Sequence, residues 1–288
     1  MTKPVCVVAG AGTKYASNEA FFGNADASEL PQDVKWGLGG ALPIAFAEQG
    51  YNVVVLSRTY DNLVPIAEHI EATTEARCLA LECDVSDPTA VSRVFADIEA
   101  QLGPVEVLCY NAGYDQSAQI AGRNPMAGSL TEDIDVERFD KAQAVHVSGL
   151  LYCAQAVLPG MRERGTGGIY VSGNTMSFRG SPKFGVNAPS KFAQRGLVQV
   201  MAQEYKEYGV HVGLVIIDGT IDAPGIREMF AQRGNTKALQ AEFAEPGSKL
   251  LKPAEVANAF VYLAQQHHSI WSHEITLTPQ KVRLGHRL

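Results

Sequence analysis

Seven strand-like runs alternate with stretches of helical spacing along the chain, and this alternation restricts the fold more than any single residue. Val5–Ala9 is apolar throughout and stopped by Gly10. Val53–Leu56, Arg77–Leu81, Val105–Cys109, Gly168–Val171, Val210–Ile217 and Glu274–Leu277 follow. A strand apolar on both faces must be covered on both faces, as buried parallel strands are. Between them lies a helical pattern from Gly39 to Gln49, with Leu42, Ala45 and Phe46 on one side. Another runs through Leu63, Ile66, Ala67 and Ile70. A third is capped by Asp87, with Pro88 in its first turn and a stripe of Val91, Val94, Phe95 and Ile98. Longer patterns run from about Val136 to Arg164 and from about Pro189 to Glu207, and a last begins near Pro253. Parallel strands joined by helices need right-handed crossovers, so a doubly wound α/β sheet of about seven strands is expected. No linker, repeat or low-complexity tract interrupts it, which predicts one domain over residues 1–288.

Composition limits the function classes. A hydrophobic content of 46% supplies a core, and a net charge of −7 with no Lys/Arg stripe argues against nucleic-acid binding. Five cysteines form no CxxC pair and read as buried, reduced thiols suited to a reducing compartment. Met-Thr-Lys-Pro leads straight into a strand without a secretory apolar region, and no apolar run reaches the roughly 18 residues of a membrane span. The expectation is a cytoplasmic protein with no membrane partner.

Ligands of such sheets sit beyond the carboxyl ends of the strands. Gly10 and Gly12 end the first strand, and Gly37-Leu38-Gly39 opens the first helix. Such glycines allow a pyrophosphate to approach helix N–H groups. Residues 11 to 36 separate the two halves, and a long excursion costs little extra entropy if its ends meet. The 13–36 insertion reads as a passive loop, as a lid carrying Tyr15, Phe21, Phe22 and Trp36, or as a block on the site. Ser57-Arg58 follows the second strand with no acidic residue, and an arginine there suits a ribose 2′-phosphate better than a free 2′-hydroxyl. Asp84-Val85 follows the third strand, and Asn111-Ala112-Gly113 the fourth. Each piece alone has a bland reading as a capping or surface loop. Together, on four successive strand ends, they resemble the short-chain dehydrogenase/reductase family, with Ala9 for the first Thr of its glycine motif and Tyr110 for the first Asn of its NNAG motif.

The resemblance covers essentially the whole chain. It implies a Rossmann-type three-layer fold, a nicotinamide cofactor (NADP(H) rather than NAD, or none if the insertion remodels the site), a small-molecule carbonyl or alcohol substrate, and a homodimer or homotetramer. The interface would use the helices of 136–164 and 189–207, although Leu150, Leu151, Val198 and Met201 equally suit a core. It also implies a catalytic Asn, Ser, Tyr and Lys. Lys191, followed by a helix like the family's, sets the register. The four positions then read His146, Asn174, Asn187 and Lys191, so only the lysine matches. An amide cannot act as a general acid near neutrality, which removes Asn187 from that role. Asn174 can donate to a substrate carbonyl. His146 can titrate, or can equally be a helix-interior histidine bonded to a backbone carbonyl. Asp218 to Ile221 stands where the family's backbone faces the nicotinamide amide, and 223–252 resembles its substrate loop. Tyr170 reads as packing, and His267-His268 as two rings pointing apart. Three functions stay open: an NADP(H)-dependent oxidoreductase with a rebuilt site, a lyase, dehydratase or cyclase on the same scaffold, and an inactive dinucleotide- or partner-binding protein.

Overall fold

The computed structural model describes residues 3–12, 30, 32–114, 128–224, 226–227 and 249–281. Its strands are β1 (Val5–Ala9), β2 (Asn52–Ser57), β3 (Cys78–Glu82), β4 (Val105–Tyr110), β5 (Gly167–Asn174), β6 (Val210–Ile217), the short β7 (Thr220–Ile221) and β8 (Leu250–Leu251), and β9 (Glu274–Leu277). The helices are α1 (Gln32–Lys35), α2 (Gly37–Glu48), α3 (Val64–Thr73), α4 (Pro88–Leu102), α5 (Val136–Gln143), α6 (Gly149–Arg164), α7 (Asn187–Tyr205) and α8 (Pro253–Ala264).

Seven strands form one parallel sheet in the order β3-β2-β1-β4-β5-β6-β9. The chain starts in the middle, runs outward to β3, then returns to lay β4 on the free side of β1. That reversal opens a crevice between the carboxyl ends of β1 and β4. One face of the sheet is covered by α4, α6 and α7 through Val91, Phe95, Leu150, Val157 and Val198. The other is covered by α2, α3 and α8 through Leu42, Phe46, Ile66, Ile70 and Phe260. Each such side chain, fully buried, contributes about 1.5–3 kcal/mol. Burial on both faces explains why β1 and the middle of β2 carry no polar alternation, whereas the edge strand β9, Glu274-Ile275-Thr276-Leu277, alternates with exposure.

Four details depart from the sequence expectation. The 136–164 pattern is not one α-helix: a π-helical turn, Ala144–Ser148, separates α5 from α6. As a whole, Val136–Arg164 is long and apolar enough to cross a membrane, contrary to the expected lack of such a run, yet half of its most apolar window is buried inside the protein. β5 extends to Asn174 and α7 begins at Asn187, so both positions lie within regular structure. The rings of His267 and His268 do not point apart but lie 3.9 Å between centroids, because His267 caps a 3₁₀ turn instead of ending a helix. Of the four apolar residues assigned to either core or interface, Leu150, Val198 and Met201 are core, and Leu151 is exposed. All five cysteines are free, and burial pushes the Cys78 thiol up to about 12 and Cys83 up to about 11. Tyr170 is buried, its hydroxyl shared between His211 Nδ1 at 3.3 Å and the Leu263 carbonyl at 3.4 Å.

Candidate active site

The turn after β1 is held by backbone. The Leu56 carbonyl accepts from both Gly10 and Ala11 N–H at 3.0 and 2.9 Å. Gly10 has φ +86°, and a Cβ there would collide with the Ala112 backbone, so only glycine fits between β1 and the end of β4. The two halves of the turn meet across the excursion: Gly12 N–H donates to the Gly39 carbonyl at 3.4 Å. That carbonyl is free because Pro43, four residues on, lies inside α2 and has no N–H to give it. Residues 13–29 and 31 of the insertion, with Tyr15, Phe21 and Phe22, lie outside the described residues; Trp36 is buried beneath α2.

Beside this turn a cavity of about 210 Å³ is lined by Gly10, Gly12, Ser57, Arg58, Asp84 and Asn111, with Val85, Ala112 and Gly113 also contributing. Gly37 and Leu38 open α2 with no side-chain cap on their N–H groups. Ser57 Oγ donates to the Thr59 carbonyl and accepts from Thr59 N–H, a turn that leaves the Arg58 side chain exposed at the rim. Asp84 Oδ1 accepts from both N–H and Oγ–H of Ser86, at 2.9 and 2.7 Å. A larger groove of about 560 Å³ lies between α4 and α6. It contains none of the candidate cofactor or catalytic residues, and the site is assigned by chemistry instead of volume.

Lys191 and His146, two of the four candidate catalytic positions, belong to one buried network that reaches this turn. Asn111 Nδ2 donates to the Gly10 carbonyl at 3.0 Å, and Asn111 Oδ1 accepts from Ser172 Oγ at 2.8 Å. The Ser172 carbonyl accepts from Lys191 Nζ at 3.0 Å, and Lys191 Nζ also donates to Gln194 Oε1 at 2.8 Å. Gln194 Nε2 then donates to the His146 carbonyl at 3.0 Å. A π turn displaces carbonyls from the regular helical ladder. Here two of them are taken by side chains, His146 by Gln194 and Val145 by the Tyr110 hydroxyl. Gly149 lacks a side chain for the same reason: a Cβ there would lie 2.5 Å from the Tyr110 hydroxyl.

Burial pushes the Lys191 ammonium down to about 7. A neutral amine has two N–H groups and an ammonium three. Ser172 O and Gln194 Oε1 occupy two in either state, so the third proton is the one that comes and goes. His146 behaves differently. Its Nε2 accepts from Tyr114 N–H at 3.0 Å, so the neutral ring carries its proton on Nδ1. Nδ1 lies 2.8 Å from Ser190 Oγ, which in turn donates to the Asn187 carbonyl at 2.9 Å. Every hydrogen in that chain is spoken for, so Ser190 and His146 are not a nucleophile and its base. Burial, then the Lys191 charge, push His146 down to about 2. The ring is neutral at physiological pH and ties the π turn to the end of β4, through a backbone N–H and not the carbonyl considered from sequence.

The amide positions are split. Asn174 Oδ1 caps the following 3₁₀ turn by accepting from Met176 N–H at 2.9 Å. Asn187 starts α7, and its Oδ1 is buried with no hydrogen-bond partner among the described residues. Close by in the fold, Thr175 Oγ1 donates to Asp218, and Arg179 Nη2 stands 4.0 Å from the same carboxylate. Ile221 is half-buried in β7, paired with Leu251 of β8, and Asp222 binds Arg227 through two bonds of 2.7 and 2.8 Å. Residues 225 and 228–248 of the 223–252 segment lie outside the described residues. Sequence reasoning missed Tyr110, Gln194 and Ser190 as network members. The only available signal was their polarity at inward-facing positions.

Residues 34–277 match a family model described as enoyl-(acyl carrier protein) reductase. The 3-ketodihydrosphingosine reductase of Bos taurus is 28% identical over 234 residues, 80% of this chain and 66% of that enzyme. The chain thus spans just under two thirds of the length of that relative. The 2-keto-3-deoxy-L-fuconate dehydrogenase of Xanthomonas campestris is 30% identical over 237 residues, 81% of this chain and 72% of that enzyme. Among solved structures, a metagenomic short-chain oxidoreductase in complex with NADP aligns with a TM-score of 0.71, covering 97% of this chain and 98% of that one. At 19% identity that likeness is one of fold.

Proposed function

The chain belongs to the short-chain dehydrogenase/reductase family of oxidoreductases, and from that premise we propose that it interconverts a carbonyl and an alcohol on a small molecule with NADP(H). The observation that carries the reading is the unbroken chain of hydrogen bonds from the Gly10 carbonyl to Lys191. It makes one unit of the glycine turn and the lysine. Gly10, Gly12, Gly37, Leu38 and Gly39 would hold the pyrophosphate, and the glycine-only geometry at Gly10 fits such a close approach. Arg58, at the rim of the 210 Å³ cavity, would take the 2′-phosphate, while Asp84, Val85 and Asn111 line the adenosine side. Lys191 would hold the nicotinamide ribose, and Ile221 the carboxamide. When bound, the nicotinamide supplies the hydride.

Lys191 is then the group that moves the proton at the substrate oxygen, directly or through water, because Asn187 cannot titrate and His146 is held neutral. Asn174 orients the carbonyl. Leu151, Phe192 and Val200 remain exposed on α6 and α7 and would meet a second copy in a homodimer or homotetramer. Asn187 favours one rival reading, a dinucleotide-binding protein without turnover. Titration with NADPH and NADH, followed by NADPH oxidation against a carbonyl panel, decides between them. NADPH binding with turnover that Lys191→Met abolishes supports the oxidoreductase. Binding without turnover on any carbonyl supports the rival, and no binding of either nucleotide sinks both.

A further inference from the structure

We infer that Gln194 is a positioning residue for Lys191, its side-chain amide fixing the direction of the ammonium and tying it to the π turn. The inference rests on Lys191 being the proton-handling residue of the proposed reaction, and it adds a residue that the register of catalytic positions does not contain. Lys191 and Gln194 are three apart in α7, so they share one helix face. Both are buried, Gln194 completely. The amide has one orientation that satisfies its neighbours. The His146 carbonyl can only accept and the lysine can only donate to an oxygen, so Nε2 must face the carbonyl and Oε1 the lysine.

Two acceptors from two elements, Ser172 O at the end of β5 and Gln194 Oε1 on α7, fix two of the three tetrahedral N–H directions of Lys191. The third direction is then fixed as well. Without Gln194 the ammonium keeps one acceptor and turns about its own stem, and the His146 carbonyl is left buried and unpaired. The amide also accepts without adding charge. A carboxylate in its place would sit within hydrogen-bond distance of Nζ and hold the proton on. Among the described residues, the titratable group that faces Lys191 from the elements packed on α7 is His146 of the π turn, and that ring is neutral. Lys191 therefore owes its acidity to burial, and Gln194 preserves it while still aiming the nitrogen.

The test uses the full chain with Gln194→Glu, Gln194→Met and Lys191→Met. The first readout is unfolding stability by urea between pH 6 and 10. Wild type gains stability as pH rises through the Lys191 titration, and Lys191→Met lacks that gain. Gln194→Glu is expected to move the rise upward by roughly one to three pH units, as an opposite charge at contact does. Gln194→Met, about equal in volume and lacking the acceptor, moves it downward. The second readout is the pH dependence of NADPH-driven turnover, whose limb moves in the same two directions. Opposite displacements in the stability profile support the assignment, even where wild type turns out to bind no dinucleotide; that result defeats the oxidoreductase reading alone. Profiles that superimpose on wild type for whichever variants fold overturn it, as does a displacement of the same sign in both.

Discussion

The two ends of the crevice solve different problems with different parts of the chain. At the nucleotide end, the turn after β1 is specified by backbone: a glycine that admits no Cβ, a Leu56 carbonyl serving two N–H groups, and a Gly39 carbonyl released by Pro43. At the lysine end the work is done by side chains, bonded to one another and to backbone groups brought in from distant elements. Backbone geometry tolerates insertion beside it and leaves motifs legible. Side-chain networks can be rewritten residue by residue if every buried donor and acceptor keeps a partner. His146 meets that condition, with both ring nitrogens bonded, whereas Asn187 Oδ1 is buried with no partner among the described residues.

The comparison breaks most sharply at Gly10. Gly10→Ala is expected to cost about 3 kcal/mol or more, from the positive φ together with the collision against Ala112, and to abolish NADPH binding. Chemical denaturation and a nucleotide titration would show it; a variant that binds NADPH normally would place the specificity of this end in side chains after all.

Next in size is the pH dependence contributed by Lys191. Its folded pKa, about 7, lies below the 10.5 of an ordinary lysine. Below pH 7 both folded and unfolded chains hold the proton, and between the two values only the unfolded chain does. Stability therefore rises with pH through that window, by on the order of a few kcal/mol. The difference between wild type and Lys191→Met isolates this from the buried tyrosines and cysteines, which act with the opposite sign at high pH. A difference that is flat between pH 7 and 10 would contradict it.

Tyr110→Phe sharpens the comparison within β4. It strips the Val145 carbonyl of its donor inside the protein and is expected to cost about 1–3 kcal/mol. The same variant should leave NADPH affinity little changed, since the glycine turn does not depend on it. An equal loss of affinity would mean that the π turn and the nucleotide end move together.

The smallest effect is expected at Arg195 and Glu274, a two-bond ion pair of 2.7 and 2.9 Å whose side chains are about a third exposed. Glu274→Gln should change stability by less than about 1 kcal/mol, and less still in high salt. It marks the level below which a side-chain contact on the catalytic half carries no structural argument.

Much of this architecture was readable in advance because it depends on period. Strands apolar on both faces and helices with a clear stripe need only their own residues to declare themselves, and the order of strand-end loops did the rest. The π turn was not readable, since nothing in Ala144–Ser148 differs locally from α-helix. It exists because Tyr110 and Gln194, distant in sequence, supply donors to Val145 and His146. His146 showed its ambiguity but not its answer, which hinges on a single backbone N–H of Tyr114. Pro43 carries no signal of its own inside a helical pattern; its meaning depends on Gly12, which donates to the Gly39 carbonyl across the whole excursion.

The bonds that assemble the catalytic end have a further consequence, for the order of events in folding. Asn111 reaches Gly10 across 101 residues, Ser172 reaches Asn111 across 61, and Gln194 and Ser190 reach His146 across 48 and 44. Contacts of such separation can form only after the intervening chain has been gathered in, so they belong to the late and slow part of assembly. A chain in which these contacts have not formed leaves Lys191 in water with an ordinary pKa, so its lowered value belongs to the fully assembled molecule.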